Sequence, residues 1–125
     1  MNKEIVKASE EVVGVSVENP QGDDLGEIKE LMIDKHSGMV QFVVLDFGGF
    51  LGMGNKLFAM PWELFSYNNE RNCFIIAVEK DKLEKMKGFD GEKWPNMADP
   101  TWSSNLYHQF GLTPTHMQSR TGRMQ

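Results

Sequence analysis

Gly48-Gly49-Phe50-Leu51-Gly52-Met53-Gly54-Asn55-Lys56 is the stretch whose residue types most invite a chemical reading. Glycines beside a lysine are the make-up of a phosphate loop, in which backbone N–H groups and an ammonium cradle the anion. Gly49 and Gly54 have the Walker spacing, but Asn55 intervenes before Lys56, and Leu57 stands where a hydroxyl should hold the metal. A dinucleotide fingerprint would need a third glycine at position 57, which is Leu57. Leu57 to Pro61 reads as strand, so no helix N-terminus would face the anion. The glycines are therefore expected to serve a sharp chain reversal. Asp46 and Glu63 flank this stretch and could form a carboxylate pair for acid–base work, or pair with a lysine such as Lys56. His36, His108 and His116 lack metal-ligand spacing, and Cys73 has no partner cysteine. Ser9, Ser16, Ser37, Ser66, Ser103 and Ser104 occupy no nucleophile-elbow context. No catalytic residue, metal site or cofactor site is expected.

The chain of 125 residues has the size of one domain, with 40% hydrophobic and 25% charged residues. Its net charge is −5, and residues 112–125 hold Arg120 and Arg123 and no acid, so residues 1–111 carry −7. An acidic body disfavours binding to a phosphate backbone. No apolar run approaches the roughly 20 residues of a membrane span. The start of the sequence lacks the pattern of a signal peptide. The single cysteine, read as a buried apolar side chain, fits a reducing compartment. The expected location is the cytoplasm.

Residues 1–10 read as a lead-in arm. Alternation of Val13, Val15 and Val17 predicts a strand over Val12–Glu18, followed by an Asn19-Pro20-Gln21-Gly22 turn. A second strand is expected over Gly26–Asp34. Its apolar residues on both faces near the end imply a bulge or a barrel interior. Asp34 to Gly38 is a hairpin loop. Met39–Phe47 is nearly all apolar and so buried on both faces. Leu57–Met60 is a fourth strand, ended by Pro61. Asn68 to Asn72 is a turn before a fifth strand, Cys73–Val78. Asp81-Lys82-Leu83-Glu84 has a capping-box shape and opens a short helix, with Leu83 and Met86 on one face and Gly88 as its stop. Phe89, Trp94 and Pro95 are packing points in an irregular stretch. A second helix starts at N-cap Asp99 and Pro100, with Trp102, Leu106 and Phe110 as its apolar stripe and Gly111 as its close. The order, strands first and helices after, indicates an all-β fold: a small antiparallel barrel or bent sheet with a C-terminal helical extension.

Val44-Leu45-Asp46-Phe47-Gly48-Gly49-Phe50-Leu51-Gly52-Met53-Gly54-Asn55-Lys56-Leu57-Phe58-Ala59-Met60-Pro61-Trp62-Glu63 resembles the signature of the PRC-barrel family. The Val17 to Ile28 segment, with its Leu25-Gly26-Glu27-Ile28 strand, is similar too, as are the Ile33 to Gly38 turn and the Pro61-Trp62 corner. The similarity spans about residues 10–87. The segment from Phe89 to Trp102 is similar to an extension of stand-alone bacterial and archaeal members. The resemblance implies a six-stranded barrel, the added strand coming from Phe65-Ser66-Tyr67. Its known contexts are the cytoplasmic domain of the H subunit of the photosynthetic reaction centre, and the C-terminal domain of the ribosome maturation factor for the small subunit. This sequence holds neither the membrane helix of the first nor the companion domain of the second. The resemblance brings no active site.

The expected organisation is an arm (1–10), the barrel (11–87), a helical extension (88–111) and a flexible tail (112–125). The expected function is that of a non-enzymatic adaptor in a prokaryotic cytoplasm, binding a protein partner or its own copy as a homodimer. Ribosome or RNA association and a regulatory role in electron-transfer machinery are the alternatives. Nucleic-acid and small-molecule partners are disfavoured. Phe50, Leu51 and Met53 at the loop tip, with Trp94 and Trp102, are the candidate partner-binding residues; the loop residues either plug the barrel mouth or face a partner.

Overall fold

The computed structural model describes residues 4–48 and 55–113. Its six strands form one sheet: β1 (Ser16–Glu18), β2 (Asp24–Ile33), β3 (Val40–Gly48), β4 (Asn55–Pro61), β5 (Ser66–Asn68) and β6 (Cys73–Ile75). Three helices accompany it: α1 (Ala8–Glu11), α2 (Lys80–Lys85) and α3 (Pro100–Gln109). The strand order is β4-β3-β2-β1-β6-β5. β1 to β4 run as an antiparallel meander, β5 and β6 form an antiparallel hairpin, and β6 joins β1 in parallel, with Val17 opposite Phe74.

This order forces the sheet to roll. β4 and β5 are the two edges, yet only residues 62–65 link them. Five strand gaps of about 4.8 Å would separate the edges of a flat sheet by about 24 Å. The five Cα steps from Pro61 to Ser66 reach about 18 Å at most. A 3-10 turn at Trp62–Leu64 shortens that reach further. The sheet therefore curls until its edges approach, without closing the ladder.

The interior of the roll is lined by Val17, Leu25, Ile28, Val43, Leu45, Phe47, Phe58, Met60, Phe74 and Ile76, with Leu83 of α2 plugging it. β3 is buried from Gln41 to Leu45, as its unbroken apolar run predicts. Its outer face, Phe42 and Val44, continues across the ladder into Pro61, Ala59 and Leu57 of β4. All five are buried. The cover is the chain after α2. Phe42 meets Trp102 and Tyr107 edge-on, with ring centroids 5.4 and 6.2 Å apart. Phe89 exchanges two backbone hydrogen bonds with Leu57, at 3.0 and 2.9 Å.

Several expectations need correction. The first strand starts at Ser16, not Val12: α1 occupies Ala8–Glu11, and Gly14 at φ +89° breaks the extension before Val15. β2 begins two residues early, at Asp24, and carries bulges between Ile28 and Glu30 and between Met32 and Ile33, the second near the end where a bulge or a barrel interior is expected. β6 ends at Ile75, although the amide of Ile76 still donates to Glu18 O at 3.0 Å. α2 is capped at Glu79 with no side-chain bond, so Asp81 lies inside the helix. Its C-terminal carbonyls are held from outside, where Lys56 Nζ donates to Glu84 O (2.6 Å) and Met86 O (3.2 Å). α3 starts as predicted, with the Asp99 side chain accepting from the Thr101 amide at 2.9 Å. Its buried positions, however, are Ser103 and Tyr107, while Trp102, Leu106 and Phe110 are half-buried. Ser103 is small enough to let the helix approach the sheet, and its Oγ bonds back to Pro100 O at 3.1 Å.

Candidate functional site

The β2–β3 hairpin ends in a tight loop built by Asp34. Its Oδ1 accepts from the amides of His36 (2.8 Å) and Ser37 (3.1 Å), and the Gly38 amide, at φ +79°, donates to Asp34 O at 2.7 Å. The bulge before Ile33 turns that side chain outward, leaving it 57% exposed although it pairs with Val40. Opposite stands the lead-in to α3, where Asn96 Oδ1 accepts from the Ala98 amide at 3.1 Å and fixes the turn.

Between these two walls lies a cleft of about 490 Å³. Met32, Ile33 and Phe42 line the sheet side; Met97, Ala98 and Ser103 line the extension side. Gln41, only 9% exposed, contributes the amide of a polar side chain, and Asp34, Lys35 and His36 form a charged rim. Apolar walls, one buried amide and a mixed-charge rim suit an apolar group held by a few polar contacts. Among the described residues, no three His, Cys, Asp or Glu side chains are grouped to hold a metal ion.

The residues singled out from sequence fall in different places. Phe50, Leu51 and Met53 lie outside the described residues. Trp94 is half-buried, edge-on to Phe89 at 5.3 Å, and its Nε1 donates to Gly91 O at 2.9 Å. Trp102 rests on Phe42, one residue from cleft-lining Ser103. The two tryptophans stand near opposite ends of β4, because Phe89 bonds Leu57 while Phe42 pairs with Pro61. Lys56 Nζ is engaged by the carbonyls of Glu84 and Met86, and β4 follows the glycine segment directly.

Asp46 and Glu63 do not form a carboxylate pair: Asp46 is opposite Leu57, and Glu63 lies beyond Pro61. Four strand residues separate those levels, about 13 Å. Cys73 is 1% exposed, and burial first, then the nearby Glu18 charge, push its thiol above the ordinary value of 9.0. Arg71 above it donates Nε and Nη2 to Glu18 Oε1 at 2.9 and 2.5 Å, and that bond with its charge raises the guanidinium value.

Sequence reasoning missed three structural residues. Asn19, 2% exposed, donates Nδ2 to Val78 O (3.3 Å) and Asp23 Oδ2 (3.1 Å), while its Oδ1 accepts from the Asp23 amide at 2.9 Å. Gly26, at φ +120°, passes so close to β3 that a Cβ there would lie 2.0 Å from Asp46 O. A Cβ on Gly88 would lie 2.6 Å from Leu57 O. Asn-Pro-x-Gly and Leu-Gly-x-Ile marked the first two as turn and strand, but only the fold shows what they approach.

The sequence model of one family, described as PRC-barrel domain, matches residues 4–83. No curated protein matches the chain. The match ends within α2, so the segment that covers the outer face of β3 and β4 lies beyond it.

Proposed function

Because the chain belongs to the PRC-barrel domain family, we propose that it acts as a small, non-enzymatic interaction module, an adaptor for a protein partner or a second copy of itself. The cleft beside Ile33 carries this reading. A 57% exposed isoleucine next to methionine and phenylalanine walls, inside a charged rim, has the composition of an anchor pocket with a polar border. The partner presents an apolar side chain to the cleft and polar groups to Lys35 and His36. The buried, lone Cys73 accords with work in a reducing compartment such as a prokaryotic cytoplasm. Among the described residues no helix is long and apolar enough to cross a membrane.

The test is capture from native extract with a photo-crosslinker at Lys35, in the parent chain and in Ile33→Asp. One specific adduct, with a partner or with a second copy, should form in the first and fall at least ten-fold in the second. Identical adduct patterns in both chains would remove the cleft from the interaction.

A further inference from the structure

The segment after α2 behaves as an occupant of the sheet. It covers the outer apolar patch of Phe42, Val44, Leu57, Ala59 and Pro61, and it pairs with the open side of an edge strand at one residue. In β4 the backbone groups of Leu57 point away from β3, since they bond Phe89 instead. The alternation of an antiparallel ladder turns those of Ala59 the same way. Pro61 follows on that side, where its missing N–H costs no β3 bond.

The cover is held locally. Gly88 permits the close approach to Leu57 O; Lys82 Nζ bonds Gln109 O at 2.9 Å and lies 5.0 Å from the Phe110 ring centre. Between α2 and α3 the backbone has turns and a single bridge, and the 490 Å³ cleft lies in the seam between cover and sheet. Few backbone bonds and an imperfectly filled seam mark a unit that opens before the rest of a fold.

We propose that residues 86–113 are a releasable strap, and that its release exposes the β4 edge for pairing with β4 of a second copy. A two-fold axis between the copies sets Leu57 opposite Ala59 of the second copy and Ala59 opposite Leu57. Each pair can exchange two bonds, which continues the sheet from one copy into the other. The pairing deepens the interaction-module reading by naming its partner and its control. The strap's opening can be measured without it.

Amide hydrogen exchange of the full chain reads that opening. Leu57 N–H bonds the strap and Phe58 N–H bonds β3, so Leu57 and Phe89 should exchange together, at least ten-fold faster than Phe58. Equal rates for Leu57 and Phe58 would overturn the strap. Gly88→Val, whose side chain collides with Leu57 O, should speed Leu57 exchange ten-fold or more and leave Phe58 unchanged. Sedimentation then reads the pairing: Gly88→Val should dimerise at concentrations where the parent is monomeric. Adding Ala59→Pro, which removes an outward N–H and no β3 bond, should return it to a monomer. Monomers throughout, or dimers that survive Ala59→Pro, would overturn pairing through β4 and leave the cleft reading untouched.

Discussion

At the scale of single residues, the polar and ionisable groups inside this fold are few enough to be tested one at a time. Cys73 is held protonated by burial, with its value raised above 9.0 in the folded chain. A raised value means the folded state keeps its proton where the unfolded chain has lost it. The contribution is whole below pH 9.0 and is lost as pH climbs past it toward the folded value. Stability should fall by up to about 1.4 kcal/mol per pH unit from this one group. Urea melts between pH 8 and 10.5 should therefore show the parent losing stability relative to Cys73→Val as pH rises. Asn19 is the opposite case, a buried amide with every bond directed. Asn19→Ala strands the Asp23 amide and Val78 carbonyl and should cost about 2–3 kcal/mol in a urea melt. The sequence marked Asn19 as the first residue of a Pro-Gly turn and Cys73 as buried. It could not show that the turn reaches Val78, since that contact joins residues 59 apart.

At the scale of elements, strands with an unbroken apolar run were legible and their partners were not. β3 and β4 were placed within one to two residues because β-branched and aromatic runs bounded by glycine and proline admit little else. The first strand was misplaced because Val13 and Val15 alternate like strand residues while Gly14, at φ +89°, interrupts them. α3 was located by Asp99 and Pro100, but its facing was read from the apolar stripe of Trp102, Leu106 and Phe110. The sheet instead took Ser103 and Tyr107, because a small residue lets a helix come close. Asp99→Ala should cost about 1 kcal/mol of helix capping, seen as faster exchange at the Thr101 amide. Gly26→Ala meets a harder limit. With 2.0 Å to Asp46 O and φ at +120°, β2 cannot keep its place on β3. It should lose more than 3 kcal/mol, or fail to fold at 37 °C, by circular dichroism melts.

At the scale of the whole molecule, the order of short strands indicated a barrel or bent sheet, and the family resemblance added the sixth strand, which local pattern alone had left uncounted. The reach of residues 62–65 then explains why no flat arrangement is possible. The cleft was not legible, because its walls come from β2, β3 and the segment before α3, and only the bulge at Ile33 makes it accessible. The parallel junction of β1 with β6 spans 57 residues, from Val17 to Phe74, and is the longest-range strand pairing in the sheet. Docking of the β5–β6 hairpin should come last. Phe74→Leu, which loosens the ring cluster with Trp62, Phe65 and Tyr67, should cost about 1–2 kcal/mol. Stopped-flow should place that cost in faster unfolding with refolding nearly unchanged, and slower refolding would make the hairpin part of the nucleus. The same junction has a consequence on the ribosome. As the nascent chain emerges, β1 to β4 can assemble in order, each beside its predecessor. β1 must then wait, its far side bare, until Cys73–Ile75 has been synthesised. That interval is when a growing chain exposes a sheet border to its neighbours, and translation speed through residues 62–75 sets how long it lasts.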